Sequence, residues 1–214
     1  MRIFPLANVA LFPGIEIPLH VFEPRYRELT KAALGDDGRI GMVAVRPGHV
    51  DAMSGDPPLF EIGCAGVIRA VQTLPDGRYN IALNGTQRFR IVGEPPRPSE
   101  QRFRTVEAIL LEEPVAPREQ TASLRIRVER LLRAFTDDPP GDETGSDRRG
   151  VLADADDVRF ANAICQYAEL PVSEKQALLE ANGVGPRLER LLEILQFHIA
   201  ELQSAPLGGS ETVH

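Results

Sequence analysis

Residues 4–26, FPLANVALFPGIEIPLHVFEPRY, decide the fold of the first half of the chain. Four prolines divide this apolar stretch: Pro5, Pro13, Pro18 and Pro24. Because a proline fixes its own φ, lacks a backbone donor and pushes the preceding residue to extended geometry, the stretch cannot form one long helix or one uninterrupted central strand. Phe12-Pro13-Gly14 suits a type II turn, and Glu23-Pro24 suits a helix start. The stretch therefore predicts a strand, a tight turn, a second strand and a helix.

Strand and turn signals continue to residue 113. The early helix should end near Leu34, with Gly35 as a left-handed residue after it. Pro75-Asp76-Gly77 and Asn84-Gly85 predict two hairpin turns, because Asp-Gly and Asn-Gly tolerate positive φ. We therefore expect a domain over residues 1–113 that consists of an antiparallel sheet or small barrel with one early helix.

Beyond Pro117 the apolar residues recur at helical spacing, which predicts a bundle of four helices over residues 114–205. Ser173-Glu174-Lys175-Gln176 predicts a capping box for the third helix. Residues 137–150 are acidic and rich in Gly and Pro, so we predict a mobile linker there, and a flexible tail over residues 206–214. The sequence thus predicts an α+β protein with two domains.

Several short motifs follow one another along the chain. They are FPL, LFPG and PLHVFEPRY within residues 4–26, EIGCAGVI at 61–68 and LNGTQRFRI at 83–91. Their order resembles that in the N-terminal, substrate-binding domain of Lon, the ATP-dependent protease. The resemblance implies a PUA-like small β-barrel followed by helices. It also implies that the protein binds unfolded or apolar polypeptide segments.

Catalytic motifs are absent from the sequence. It contains no G-x-x-x-x-G-K-[ST] phosphate loop, no G-x-S-x-G nucleophile elbow and no H-E-x-x-H zinc motif. The ATPase and peptidase parts of Lon have no counterpart in these 214 residues. We therefore expect a free-standing, non-catalytic binding protein without cofactor or metal, which works with a protease or a chaperone.

The charge balance disfavours nucleic acid as a partner. The net charge is −7, with 13 basic and 14 acidic residues over 1–113 and 11 and 17 over 114–214. Such a surplus of acidic groups repels a phosphate backbone. Arg88, Arg90, Arg102 and Arg104 alternate along predicted strands, and we expect them on a solvated outer face, with a local basic stripe as the alternative.

Cysteine usage and hydropathy favour a cytoplasmic protein. Cys64 and Cys165 are the two cysteines, and we expect both to be small buried hydrophobes in a reducing compartment. No apolar run has the length of a signal-peptide core or a membrane span. The leucine stripe of the last helix is expected to pack in the bundle, which favours a monomer or a weak dimer.

The candidate peptide-binding site is the tip of the opening stretch: Leu11, Phe12, Pro13 and Gly14. Apolar side chains before a Pro-Gly turn could fill pockets or anchor an extended peptide. Three such anchors contribute about 5–9 kcal/mol, against an association cost of about 4–15 kcal/mol. We therefore expect micromolar or weaker affinity.

Two further segments have a predicted role. Residues 46–58 form a long Pro- and Gly-rich loop, which is a candidate lid. In the FEPRY motif, Glu23 is expected to help start the helix, while Phe22 and Tyr26 pack beneath it.

Two other functions stay open at this point. One is an adaptor or regulator that docks on a partner through its acidic helical half. The other is an RNA binder, because PUA-like barrels include RNA-binding proteins.

Overall fold

The computed structural model describes residues 1–53, 55–135 and 155–204. The predicted linker at 137–150 and the predicted tail at 206–214 lie outside the described residues. Within the described part, no helix combines the length and hydropathy needed to cross a membrane.

Within residues 1–53, 55–135 and 155–204, seven strands form one mixed sheet. They are β1 (Arg2–Leu6), β2 (Glu16–Val21), β3 (Arg39–Ala44), β4 (Ile62–Thr73), β5 (Tyr79–Gly93), β6 (Arg104–Thr105) and β7 (Glu107–Leu110). Neighbours pair in the order β2-β5-β4-β3-β1-β6, and β7 pairs with β5. Because β6 and β7 are consecutive and pair with β1 and β5, the sheet closes on itself. The predicted α+β class with a small barrel is confirmed.

The opening stretch folds as its prolines predict. After β1, Gly14 has a φ of 77°, and the Ile15 amide donates to the Phe12 carbonyl across a type II turn. β2 follows, and helix α1 (Pro24–Leu34) begins with its proline. One prediction here is wrong. Gly35 is right-handed, with a φ of −80°, and the left-handed residue is Gly38.

Strand pairing departs from a pure meander at one place. β3, β4 and β5 are antiparallel neighbours, but β1 and β3 run parallel, with Ile3 opposite Gly41. The reason is the intervening β2 and α1, which return the chain to the end of the sheet from which β1 starts. The predicted antiparallel pairing therefore holds for the strand pairs of the described sheet other than β1 with β3.

Asn84-Gly85 is not a hairpin turn, contrary to the prediction. Both residues lie inside the continuous strand β5, and the turn at Pro75-Asp76-Gly77 is the hairpin that forms. Gly85 is instead required by close packing, because a Cβ there would collide with the Phe12 carbonyl. The glycine thus allows the tip of the opening stretch to lie on β5.

Phe89 fills the inside of the barrel. Its ring is fully buried among Ile3, Val43, Ala65 and Val106. Two glycines make room for it, Gly41 on β3 and Gly63 on β4, since a Cβ on either would meet the ring at 3.0 Å or less.

In the part of the chain that the structure describes, four helices follow the barrel: α2 (Arg118–Phe135), α3 (Asp157–Tyr167), α4 (Val172–Glu180) and α5 (Val184–Ser204). Leu124, Val128, Phe160 and Leu188 lie in the same buried cluster as Leu11 and Phe12 of the first half. The cap of α3 is Asp156, whose carboxylate accepts the Arg159 amide at 2.8 Å. The capping box predicted for α4 does not form, because Pro171 occupies its N-cap position.

Replacing Gly63 with Ala should destabilise the protein by about 3 kcal/mol. The new methyl group would overlap the Phe89 ring at 2.6 Å and the Met42 carbonyl, which forces a backbone shift. Urea unfolding followed by circular dichroism measures the change. Gly35→Ala is the control: its φ suits alanine, and the new Cβ would lie 3.6 Å from the Lys31 carbonyl oxygen, which is ordinary contact, so it should change stability by less than about 0.5 kcal/mol. Equal stability of the two variants contradicts this account of the barrel core.

Candidate functional site

The predicted peptide-contact residues divide into two pairs. The side chains of Leu11 and Phe12 are buried, with exposed fractions of 1% and 0%, so in this structure they pack the core. They are buried because the helical half covers the tip, which local sequence did not reveal. Pro13 is half-buried and Gly14 is exposed. Peptide contact at the tip stays a prediction, and Pro13 and Gly14 are the residues that are accessible for it.

Two amide side chains of α3 hold the tip through its backbone. Gln166 accepts from the Phe12 amide at 3.1 Å and donates to the Ala10 carbonyl at 2.9 Å. Asn162 donates to the Pro13 carbonyl at 2.8 Å. Because a buried backbone group without a partner is costly, these bonds fix the tip against the helices.

Three charged side chains meet where the barrel joins the helices: Arg88 and Arg187, which are buried, and Glu113, which is half-buried. Glu113 accepts from Arg88 Nε at 3.1 Å, and its Oε1 lies 2.9 Å from Arg187 Nη1. The two guanidinium groups are 2% and 0% exposed. Burial lowers the pKa of Arg88 from its usual value, and Glu113 opposes that shift. We call these three residues the junction cluster.

The junction cluster also caps α4. Arg88 Nη1 donates to the Leu179 and Ala181 carbonyls at 3.1 and 2.8 Å, and Arg187 Nε donates to the Leu178 carbonyl at 3.1 Å. The last carbonyls of a helix have no hydrogen-bond partner within the helix, and they carry the negative end of its dipole. Leu178, Leu179 and the C-cap residue Ala181 supply three such carbonyls. Two cations therefore satisfy the end of α4: Arg88 binds it to strand β5, and Arg187 binds it to helix α5.

The expectation of a solvated arginine face is wrong for one member. Arg88 points into the junction instead of into water. Arg88 and Phe89 are neighbours on β5, so their side chains point to opposite faces of the sheet: Phe89 into the barrel interior and Arg88 towards the helices. A register shift between Ala65 and Gly66 interrupts the regular pairing of β4 with β5 close to them. Arg90 and Arg102 are exposed as expected, and Arg104 is half-buried beside Glu94. The alternative of a continuous basic stripe therefore lacks one of its four members.

An open groove runs between the tip and the start of α3, with a volume of about 690 Å³. We call it the junction groove. Its walls include Pro13 and Gly14 of the tip, Gln87 of β5 and Val158 of α3. They also include Leu111 of the connector, which is the segment 111–117 between β7 and α2. Arg88 and Glu113 form part of its floor. The groove therefore offers apolar and polar surface side by side.

A second groove of about 640 Å³ shares Arg88 and Leu111 with the first. Its other walls come from Phe60, Ile62 and Arg90 of the barrel and from Glu180 at the end of α4. Arg46 stacks over the Phe60 ring at 5.6 Å. The loop predicted as a lid, residues 46–58, thus starts beside this groove. Its role as a lid stays a prediction.

In the FEPRY motif, Tyr26 packs beneath the helix as expected, but Phe22 and Glu23 do not have the roles that were expected of them. Tyr26 is buried and its hydroxyl donates to the Pro5 carbonyl at 2.9 Å, and desolvation raises its pKa to about 12. Phe22, however, is 57% exposed. Glu23 makes no side-chain capping bond and instead contacts Arg25 at 2.8 Å.

The two cysteines, Cys64 and Cys165, lie in surroundings that do not favour a reactive thiolate. Both cysteines are buried free thiols, as predicted, and desolvation raises the pKa of each to about 12. Such thiols stay protonated at neutral pH and are poor nucleophiles. Among the described residues, no group of three or more His, Cys, Asp and Glu side chains is arranged to hold a metal ion.

The fold defines a small closed barrel with a helical extension docked on it, and comparison with known proteins places it in a family. The model of the ATP-dependent protease La (Lon) substrate-binding domain matches residues 1–196. The chain therefore belongs to the Lon substrate-binding domain family. The resemblance that the motifs indicated is confirmed.

Relatives and solved structures agree with this assignment. Lon protease of Escherichia coli K12 is 30% identical over 206 residues, which cover 94% of this chain and 25% of that protein. Lon protease 1 of Syntrophobacter fumaroxidans is 27% identical over 95% of this chain and 24% of its own length. The chain thus spans about a quarter of the curated relatives it matches.

Two solved N-terminal domains share the fold. That of Mycobacterium avium complex Lon protease has a TM-score of 0.68 at 19% identity, covering 92% of this chain and 98% of its own. A Lon N-terminal domain protein from Xanthomonas campestris has a TM-score of 0.62 at 22% identity, covering 90% and 96%.

Replacing Glu113 with Gln should cost about 3 kcal/mol in the free energy of unfolding. Loss of this carboxylate leaves two buried guanidinium groups without a counter-charge. Urea unfolding measures the loss, and Glu112→Gln is the matched control, since that neighbouring side chain is exposed and should change stability by less than about 0.5 kcal/mol. A Glu113→Gln protein as stable as its control contradicts the structural role of the junction cluster.

Proposed function

We propose that this protein is a non-catalytic binding protein that holds unfolded or apolar polypeptide segments in the junction groove. Membership of the Lon substrate-binding domain family supports a role in binding substrates. The single observation that carries the location is the open groove between the two halves, which includes the accessible part of the tip. On this proposal the bound segment is a substrate of proteolysis, and the partner is a protease or a chaperone.

The form of the groove suits an extended chain of varied sequence. Its volume of about 690 Å³ lies within the usual size of ligand sites, about 300–1,000 Å³. Leu111 and Val158 supply apolar contact. The side-chain oxygens of Gln87 and Thr86 can accept from the N–H groups of a peptide, because their own donors already bond the Leu111 and Ala65 carbonyls. Few apolar side chains line it, so affinity should be micromolar or weaker.

The test is a titration with a carboxymethylated, permanently unfolded model polypeptide, followed by fluorescence anisotropy. Val158→Asp should weaken binding at least fivefold, because it places a charge beside Asp156 and removes apolar contact. The change lies in the first turn of α3, where an acidic side chain favours the helix, so the fold should be kept.

Ile126→Asp on the exposed face of α2 is the matched control, because it makes the same chemical change outside the groove. It should alter the affinity by less than about twofold, as expected for a surface change remote from the site. The proposal fails if the unmodified protein binds nothing at millimolar concentration. It fails equally if both variants weaken binding to the same extent.

The alternative of docking through an acidic helical half gains no support from the described helices. Residues 114–135 and 155–204 carry nine basic and ten acidic side chains, so most of the acidic surplus of this half lies outside the described residues. RNA binding gains none either, since Arg88 is buried. Both functions stay untested predictions.

A further inference from the structure

We propose that a second site, on the barrel, binds the carboxylates of polypeptides, and that Asp56 occupies it as a built-in carboxylate. This site, the arginine cleft, is lined by Arg25, Arg97 and Arg102 on one side and by Gly55 and Asp56 on the other, with a volume of about 620 Å³. It goes beyond the proposed function, because none of its lining residues belongs to the junction groove.

Positive side chains converge on this cleft from separate parts of the sequence. Arg25 lies in the first turn of α1, while Arg97 and Arg102 lie between β5 and β6. A smaller adjoining cavity adds Arg104. Four arginines and two carboxylates, Glu23 and Asp56, line the two spaces together, and Glu28 and Glu94 pair with Arg102 and Arg104 from outside the lining.

Arg25 is held in place before any ligand arrives. Its Nη2 lies 2.8 Å from Glu23, its Nη1 donates to the Gly55 carbonyl at 3.3 Å, and its guanidinium lies 4.6 Å from the centre of the Tyr26 ring. Its side chain is 19% exposed. A guanidinium fixed in this way loses little freedom on binding a carboxylate, which matches its planar fork.

Asp56 shows how a carboxylate fits the cleft. Its two carboxylate oxygens accept from Arg97 Nη1 and Nη2 at 3.1 and 2.6 Å, which makes a bidentate ion pair. The side chains are 49% and 36% exposed, so water screens the pair and it adds little to stability. A carboxylate from another polypeptide can therefore replace Asp56 on Arg97 at small cost.

Arg102 has the most capacity for an added ligand. Its side chain is 69% exposed, and its Nε lies 3.9 Å from the nearest carboxylate, that of Glu28. The two carboxylates in the cleft wall disfavour a doubly charged phosphate. A single carboxylate, from an acidic side chain or from a chain end, suits the exposed guanidinium of Arg102 and the fork of Arg97 that Asp56 now occupies.

The experiment measures binding of four fluorescent peptides to the full chain by anisotropy. One peptide contains Glu and a free C-terminus, and the others replace Glu with Gln, amidate the C-terminus, or do both. Loss of binding with one neutralisation identifies the source of the carboxylate, and the doubly neutral peptide should not bind the cleft.

Asp56→Asn should increase affinity for the acidic peptide about fivefold, because it frees Arg97. Arg97→Gln and Arg102→Gln should each reduce it at least fivefold. Asp76→Asn is the matched control: Asp76 pairs with Arg78 at 2.6 Å with similar exposure, but at the β4–β5 hairpin, and its loss should leave affinity unchanged.

In a binding site, the Asp56 variant raises peptide affinity and the Arg97 variant lowers it. If the pair were only a structural salt bridge, removing either partner would change peptide affinity in the same direction. The proposal is overturned if both variants change affinity in the same direction, or if the doubly neutral peptide binds as tightly as the acidic one. Arg102 is so exposed that its variant keeps the fold, which leaves the test interpretable even if Arg97→Gln unfolds. A Val158→Asp result for the junction groove is independent of this outcome.

Discussion

Two guanidinium groups buried at one junction, those of Arg88 and Arg187, constrain the rest of the structure. A buried charge is stable only when it is paired and hydrogen-bonded. Glu113 supplies the counter-charge, and the last carbonyls of α4 supply acceptors to both arginines. Barrel, connector and helices therefore meet in one arrangement. The junction groove exists because this arrangement leaves the tip and the start of α3 facing each other.

The elements of the fold could be predicted from local sequence, but the junction could not. Prolines and turn glycines report on their own backbone, so the opening strand, turn, strand and helix followed directly. Gly85 was misread because a glycine that admits a neighbouring chain has the same local signature as one in a turn. Arg88 was misread because its acceptors lie about ninety residues away, on α4. Leu11 and Phe12 looked like contact residues because the surface that covers them comes from a distant helix.

The family assignment and the geometry address different questions. The family model covers nearly the whole chain and gives the general role of a substrate-binding domain. The solved relatives share the fold at low identity, so the surface of this chain has to be interpreted from its own residues. That surface has two distinct chemistries: a mixed groove at the junction and a cleft of arginines on the barrel. An unfolded segment with apolar and acidic residues would match both.

Hydrogen–deuterium exchange with and without a saturating unfolded polypeptide tests the central claim most directly. The claim is that the groove set by the junction cluster is the place where polypeptide binds. Exchange should slow at backbone amides of residues 10–16, 84–88, 111–113 and 155–159, which surround the groove. Slowing confined to other segments, such as the outer face of α5, or no slowing at saturation, would contradict the account.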